Sequence, residues 1–213
     1  MSRNITSIDR LIIQSDSVLK TLFGKPPSTA RKNPADGLNH HDLNDTEKVL
    51  SSRLMRINHT GEVCAQGLYQ GQALTAKLPN VKDSMEQAAK EENDHLIWCE
   101  DRIKELNGQT SYLNPFWFFG SYFMGAAAGL LGDKWSLGFV AETEKQVEKH
   151  LDSHLLKISE NDLKSRAIIR QMREDEIKHA KNAIDGGGVA LPIIIKKIMK
   201  STAGIMTRTV YWV

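Results

Sequence analysis

The stretch "EENDHLIWCE", residues 91–100, decides how this chain folds. Read as a helix, the segment 81–106 places Met85, Ala88, Ala89, Leu96, Cys99, Ile103 and Leu106 on one apolar stripe, at spacings of three and four. Glu92 stands in the middle of that stripe, and His95 lies one turn further along it. Two later segments repeat the pattern. Over 136–159 the stripe is Leu137, Val140, Val147, Leu151, Leu155 and Ile158, with Glu144 in the gap. Over 163–185, Ile169, Met172, Ala180 and Ala183 flank Glu176, and His179 follows it by one turn. A fourth helix is predicted over 45–76, opened by Asn44 with Glu47 three residues on, a capping-box pattern. There Glu62 shares a more mixed face with Met55, His59, Ala65 and Tyr69, and is the best candidate for a fourth inward carboxylate.

An ionised carboxylate in an apolar interior costs many kcal/mol unless it is neutralised, paired or bound to a metal. Four converging carboxylates cannot pair with one another. A Glu and a His three apart on a helix share one side and can chelate one cation, so two such motifs imply two metals. Four glutamates and two histidines, Glu62, Glu92, His95, Glu144, Glu176 and His179, match the ligand inventory of ferritin-like di-iron or di-manganese bundles. The spacing repeats as well. Glu62 precedes Glu92/His95 by about thirty residues and Glu144 precedes Glu176/His179 by about as many, as two helix hairpins related by a pseudo-twofold require. Oxygen-rich ligands with one imidazole per metal favour iron, with manganese as the alternative. Glu91 and Asp175, each just before an inner glutamate, are placed to accept the free N–H of a ligating histidine. The remaining candidates have ordinary readings. His40 and His41 are expected to be solvated in a linker, Cys64 and Cys99 to be small core residues, and His59, His150 and His154 to be hydrogen-bonded structural or substrate-side groups.

The chain has 213 residues, enough for one domain and a short appendage, and its 40% hydrophobic and 25% charged composition excludes disordered, collagenous and disulfide-scaffold classes. A formal charge of +2 with interspersed signs lacks the basic footprint of a nucleic-acid binder. Two cysteines inside helical patterns point to a reducing compartment, and "MSRNITSIDRLIIQ" lacks the apolar core and cleavage site of a signal peptide, so a cytoplasmic location is expected. No glycine-rich dinucleotide fingerprint follows a strand, so the electron donor is expected to be external.

The domain division expected is 1–44, an amphipathic helix over 5–23 and an irregular linker "GKPPSTARKNPADGLNHHD", then an all-α ferritin-like bundle over 45–213 with a basic C-terminal helix. Turns are marked by "KLPN", by Asn107-Gly108, by "ENDL" and by the triple glycine at 186–188. The second and third bundle helices are joined by a long crossover, residues 107–132, that contains no charged residue. It presents Phe116, Trp117, Phe118, Phe119, Tyr122 and Phe123. The part over 112–132 approaches a membrane span in length, but Asn114-Pro115 and four glycines interrupt it, and spanning would separate the two halves of the metal site. Lying on a membrane surface satisfies both constraints, with the lysines 196, 197 and 200 as a second interfacial element. The competing readings are a homo-oligomer interface and an unusually apolar core crossover.

The segments "LMRINHTGEVCAQGLYQGQ", "EENDHL", "AETEKQVEKH" and "DEIKHA" resemble the demethoxyubiquinone hydroxylases of ubiquinone biosynthesis, a likeness running from about residue 8 to the C-terminus. The resemblance implies a ferritin-like monooxygenase, peripheral on the cytoplasmic face of the cell membrane, that uses O2 and an external reductant to hydroxylate the benzoquinol ring of a polyprenylated precursor. It carries the metal-ligand roles onto the same six residues, with Glu92 and Glu176 bridging two irons and Glu62 and Glu144 capping one each, and places His150 near the site. Animal members lack much of the N-terminal appendage, so the resemblance assigns no role to residues 1–44, nor does it say whether a lipid-presenting partner takes part. The contrasting functions are iron oxidation and storage by a soluble ferritin-like protein, which the charge-free crossover disfavours, and a non-enzymatic membrane-surface scaffold, which would hold no metal.

Overall fold

The computed structural model describes residues 6–39 and 42–213; His40 and His41 lie outside them. Among the described residues there are seven α-helices and no strand: α1 (Ser7–Phe23), α2 (Asp45–Thr75), α3 (Pro79–Glu105), α4 (Asn114–Leu130), α5 (Asp133–Leu155), α6 (Leu163–Asp185) and α7 (Ile193–Val210). The hairpins α2/α3 and α5/α6 form the ferritin-like four-helix bundle, and α4 runs along α2 as the crossover between them.

Local chemistry sets the ends. The side chain of Asn44 accepts from the Glu47 amide at 3.0 Å while Glu47 accepts from the Asn44 amide at 2.9 Å, closing the predicted box. At the end of α3, Asn107 takes φ 57° and the Gly108 amide donates to the Ile103 carbonyl at 2.9 Å, the Schellman arrangement. Helix α5 starts three residues before the predicted Ser136. Gly132, at φ 113°, redirects the chain there, and the Asp133 carboxylate at once accepts from the amides of Lys77 and Leu78, tying the α2–α3 turn to α5.

The crossover is a regular helix, begun at Asn114-Pro115, and its small residues let it approach α2 backbone to backbone. A Cβ on Gly71 would stand 2.1 Å from the Tyr122 carbonyl, and one on Gly125 would stand 2.2 Å from that of Leu68. Helical periodicity divides its aromatics between two faces. Phe118 is fully buried against Val63 and Leu96, and Trp117 is half-buried, whereas Phe116, Phe119 and Phe123 are exposed.

Two apolar layers fill the bundle, one around Met55, Cys99, Ile103, Leu151, Ile169 and Met172, the other around Tyr69, Met85, Leu137, Val140 and Ala183. On each of the four bundle helices the inward glutamate falls between its contributions to these layers. A carboxylate layer is therefore enclosed above and below by hydrocarbon. Beyond one apolar layer, buried Arg102 closes the α5–α6 turn through Asp162 at 2.8 Å and Ser165 at 2.9 Å.

Candidate metal centre

Glu62, Glu92, His95, Glu144, Glu176 and His179 are all buried, none more than 7% exposed. Glu62, Glu92, His95 and Glu176 each offer a ligand atom, and the four atoms lie within 4.8 Å of one another. Metal–ligand bonds of about 2 Å put atoms on opposite sides of one ion about 4 Å apart, so this cluster is of the right size. His179 stands beside it, with Nδ1 3.0 Å from Glu92 Oε1 and 3.4 Å from Glu176 Oε2. Glu92 thus faces both histidines, since its other oxygen is 2.7 Å from His95 Nδ1. Glu144 lies against Glu176 in the same layer, its Oε1 accepting from the Tyr69 hydroxyl at 2.5 Å.

Both histidines turn Nδ1 toward the carboxylates and Nε2 outward, and each outward nitrogen meets an acid from the opposite helix. His95 Nε2 is 3.1 Å from Asp175 Oδ2 on α6, and His179 Nε2 is 2.8 Å from Glu91 Oε2 on α3. Such contacts fix ring orientation and raise the basicity of the nitrogen that faces a metal.

The electrostatics show the same strain on charge. Burial, followed by the Glu92 charge, pushes the Glu62 carboxyl well above the usual carboxylate range; burial and the charges of Glu176 and Glu92 do the same to Glu144. Glu176 is raised by burial and by Glu92. Burial opposes the charged form of Glu92 too, but the two histidines outweigh it and hold Glu92 well below that range. Against burial, Glu92, Asp175 and Glu62 carry His95 well above the usual imidazole value, and Glu176 and Glu92 push His179 up to about 12. The protein groups balance one another only by holding extra protons. Glu92 Oε1, Glu176 Oε2 and His179 Nδ1 are buried without a hydrogen-bond partner, the close approaches of His179 lacking hydrogen-bond geometry. Unpaired donor atoms in a layer overloaded with acids are what divalent cations satisfy, so the residues fit a metal centre.

His150 stands apart from the cluster, on the wall of an apolar, partly open cavity of about 730 Å³ lined by α2, α4, α5 and α7. Glu62 forms part of the same wall, so the cavity reaches the metal layer. The His150 ring lies edge-on to His154 at 4.0 Å, and His154 Nδ1 is 2.8 Å from Asn58 Oδ1. Burial keeps both neutral, lowering His150 to about 4 and His154 to about 2. Two residues touching the site were not singled out for it in the sequence. Tyr69 sits two turns from Glu62 on a stripe read as packing, and Arg31 comes from the irregular linker, where no periodicity marks an inward side chain.

The model of the family described as "Ubiquinone biosynthesis protein COQ7" matches residues 49–210. The chain belongs to this family. Among its relatives, the 3-demethoxyubiquinol 3-hydroxylase of Nitrosococcus oceani is 54% identical over 211 residues, 99% of each chain. That of Nitrosomonas eutropha is 54% identical over 97% of this chain and 99% of its own, and that of Coxiella burnetii 53% identical over 100% and 98%. The likeness therefore includes the N-terminal appendage that lies outside the family match.

Proposed function

We propose that this chain is a 3-demethoxyubiquinol 3-hydroxylase, which uses O2 and an external reductant to hydroxylate the benzoquinol ring of a polyprenylated demethoxyubiquinol. The observation that carries the reading is the carboxylate–histidine layer opening through Glu62 onto an apolar cavity of about 730 Å³, in a chain alike over almost its whole length to enzymes of that name. Glu62, Glu92 and His95 would hold one metal and Glu144, Glu176 and His179 a second, with Glu92 and Glu176 shared. Oxygen-rich donors with one imidazole each suit iron ahead of manganese. Bound there, the two ions supply the oxidative chemistry with O2.

The protein's own part is to place the ring and exclude water. Ile57, Leu68, Phe139, Val147 and Met206 line the cavity and match an isoprenoid tail, which leaves the polar ring at the Glu62 end. Asp175 and Glu91 hold the two imidazoles in orientation, and Tyr69 holds Glu144.

No helix among the described residues is long and apolar enough to cross a membrane. The cavity is instead flanked by two helices with exposed apolar faces, α4 with Phe116, Phe119 and Phe123, and α7 with Ile193, Ile194 and Ile198 beside Lys197 and Lys200. These faces support seating on the anionic cytoplasmic surface of the cell membrane, from which the tail enters. Elemental analysis of the purified chain with mass spectrometry of co-extracted lipid tests the whole reading. Two irons and a polyprenylated quinone are expected. Iron without lipid would favour ferroxidase or storage chemistry, and lipid without metal would favour a scaffold.

A further inference from the structure

We propose that residues 27–31, in the linker between α1 and α2, form a strap that positions one half of the metal centre, and that Arg31 is its positioning residue; the inference rests on the metal-centre reading above. The strap crosses the outer face of α3 beside the ligands. The Pro27 carbonyl accepts from Asn93 at 3.1 Å. Fully buried Asp94 receives the Ser28 hydroxyl at 2.7 Å, the Thr29 amide at 2.9 Å and the Thr29 hydroxyl. Ala30 then takes φ 65°, a backbone region that L side chains rarely adopt, with its amide donating to Ser28 Oγ at 2.9 Å. A non-glycine residue is held there only when its surroundings over-determine it.

The turn delivers Arg31 onto the site. Its Nη2 is 2.5 Å from Asp175 Oδ2, the same oxygen that lies 3.1 Å from His95 Nε2. Its guanidinium carbon stands 5.1 Å from the Trp98 ring centroid, and Trp98 in turn is 5.4 Å from the His95 ring. Arg31 therefore contacts both groups that flank His95, the acid on its outward nitrogen and the aromatic tilted beside its ring. His179 has no such reinforcement from the strap: its outward partner Glu91 is contacted by Gln87, one turn away on the same helix.

The test is anaerobic loading of the purified chain with Fe2+, followed by timed release to a chromogenic ferrous chelator. Wild type is expected to hold two ions. Arg31→Met should release one of them about tenfold faster, the scale on which outer partners of ligating histidines act, and the other at the wild-type rate. Arg31→Lys, which still brings a donor to Asp175, should recover most of the retention, and with Co2+ in place of iron the visible absorption of Arg31→Met alone should change at one of two ions. Wild-type release from Arg31→Met overturns the strap while leaving the metal centre standing. Equal loosening of both ions with a lowered melting temperature also overturns it, by reducing Arg31 to a packing role. A wild-type chain that binds no iron overturns both readings, a result distinct from the other two.

Discussion

His95 is completely buried, and the acid on its outward nitrogen, Asp175, is itself nearly buried and gripped by Arg31. His179 is slightly exposed, and its acid, Glu91, is 35% exposed and reached by a glutamine one turn away. The candidate ligands repeat along the sequence as two hairpins, Glu62 with Glu92 and His95, then Glu144 with Glu176 and His179, yet their surroundings differ. The difference comes from the ends of the chain. A single N-terminal linker can cover only one side of a twofold arrangement, and it covers α3 next to His95. The second half is supported from inside, where Tyr69 donates to Glu144. One half is thus held from the outer face and the other from the core, and variants can test whether the two supports are independent.

The largest effect is expected at the residue the halves share. Glu92 lies 2.7 Å from His95 Nδ1 and 3.0 Å from His179 Nδ1, so Glu92→Ala should abolish both metals and hydroxylation together while far-ultraviolet circular dichroism shows the helices retained. Iron at wild-type stoichiometry in that variant would remove Glu92 from the site.

Next in size is the response to pH, in which the carboxylate layer and the cavity wall behave oppositely. His59, fully buried, is lowered by burial to about 4, as is His150, with His154 at about 2. Below an ordinary imidazole value of about 6.5 the unfolded chain binds protons these groups refuse. Stability is therefore lost as pH falls from 6.5 toward 4, by roughly 3 kcal/mol for His59 and a similar amount for His150. Glu62, Glu144 and Glu176, with His95 and His179, are raised, so the native layer keeps protons the unfolded chain releases, and the metal-free protein weakens as pH rises above the ordinary carboxylate range. Thermal melts of metal-free protein should peak between the two limbs, and metal loading should flatten the alkaline limb alone, with protons released on binding. In metal-loaded protein, where the opposing carboxylate limb is flattened, a melting temperature constant between pH 7 and 4 would contradict the neutral, buried state of the three histidines.

The outer acids test the comparison directly. Asp175→Asn is expected to weaken metal retention about 10- to 100-fold, chiefly at one ion, since nothing in a nearly buried contact replaces the lost charge. Glu91→Gln should cost only a few-fold, because water already competes at a carboxylate one-third exposed. Chelator competition measures both. Equal losses would mean that exposure does not distinguish the halves.

How far these features were legible in the chain follows from their range. Glu92, Glu144 and Glu176 stand out because each helix buries one stripe, and a carboxylate in it breaks a 3.6-residue pattern that a short window reveals. Glu62 was harder to read. Helix α2 packs against α3 and α4 and touches α5, α7 and α1, so it buries Ser51, Asn58, Thr60, Gln66 and Gln72 as well, and no single stripe remains to be interrupted. Asn44 and Asn107 announce helix ends through bonds spanning three to five residues, whereas the early start of α5 depends on Asp133 reaching an amide 55 residues away. Arg31 lies 144 residues from Asp175, in a segment without periodicity, and only the folded chain brings them together. The positions of Glu91 and Asp175 suggested histidine partners, but their exchange across α3 and α6 is a tertiary fact.

The smallest effect is expected from the inner support. Tyr69 is fully buried on α2, its ring within the apolar layer and its hydroxyl donating to Glu144 Oε1, which leaves the other oxygen of Glu144 for a cation. Tyr69→Phe keeps the packing and deletes one hydrogen bond to a charged acceptor, worth about 1.5–3 kcal/mol in a buried setting. A metal on Glu144 compensates most of the carboxylate's charge, so the loss at that ion should fall below that range, to a few-fold faster release, with the ion beside His95 unaffected. Combined with Arg31→Met, the two changes should add without coupling, because they act on different ions from opposite sides of the bundle. A coupling larger than about 0.5 kcal/mol in that double-mutant cycle would show that Glu92, common to both, transmits strain between the halves, and the centre would then respond as one unit.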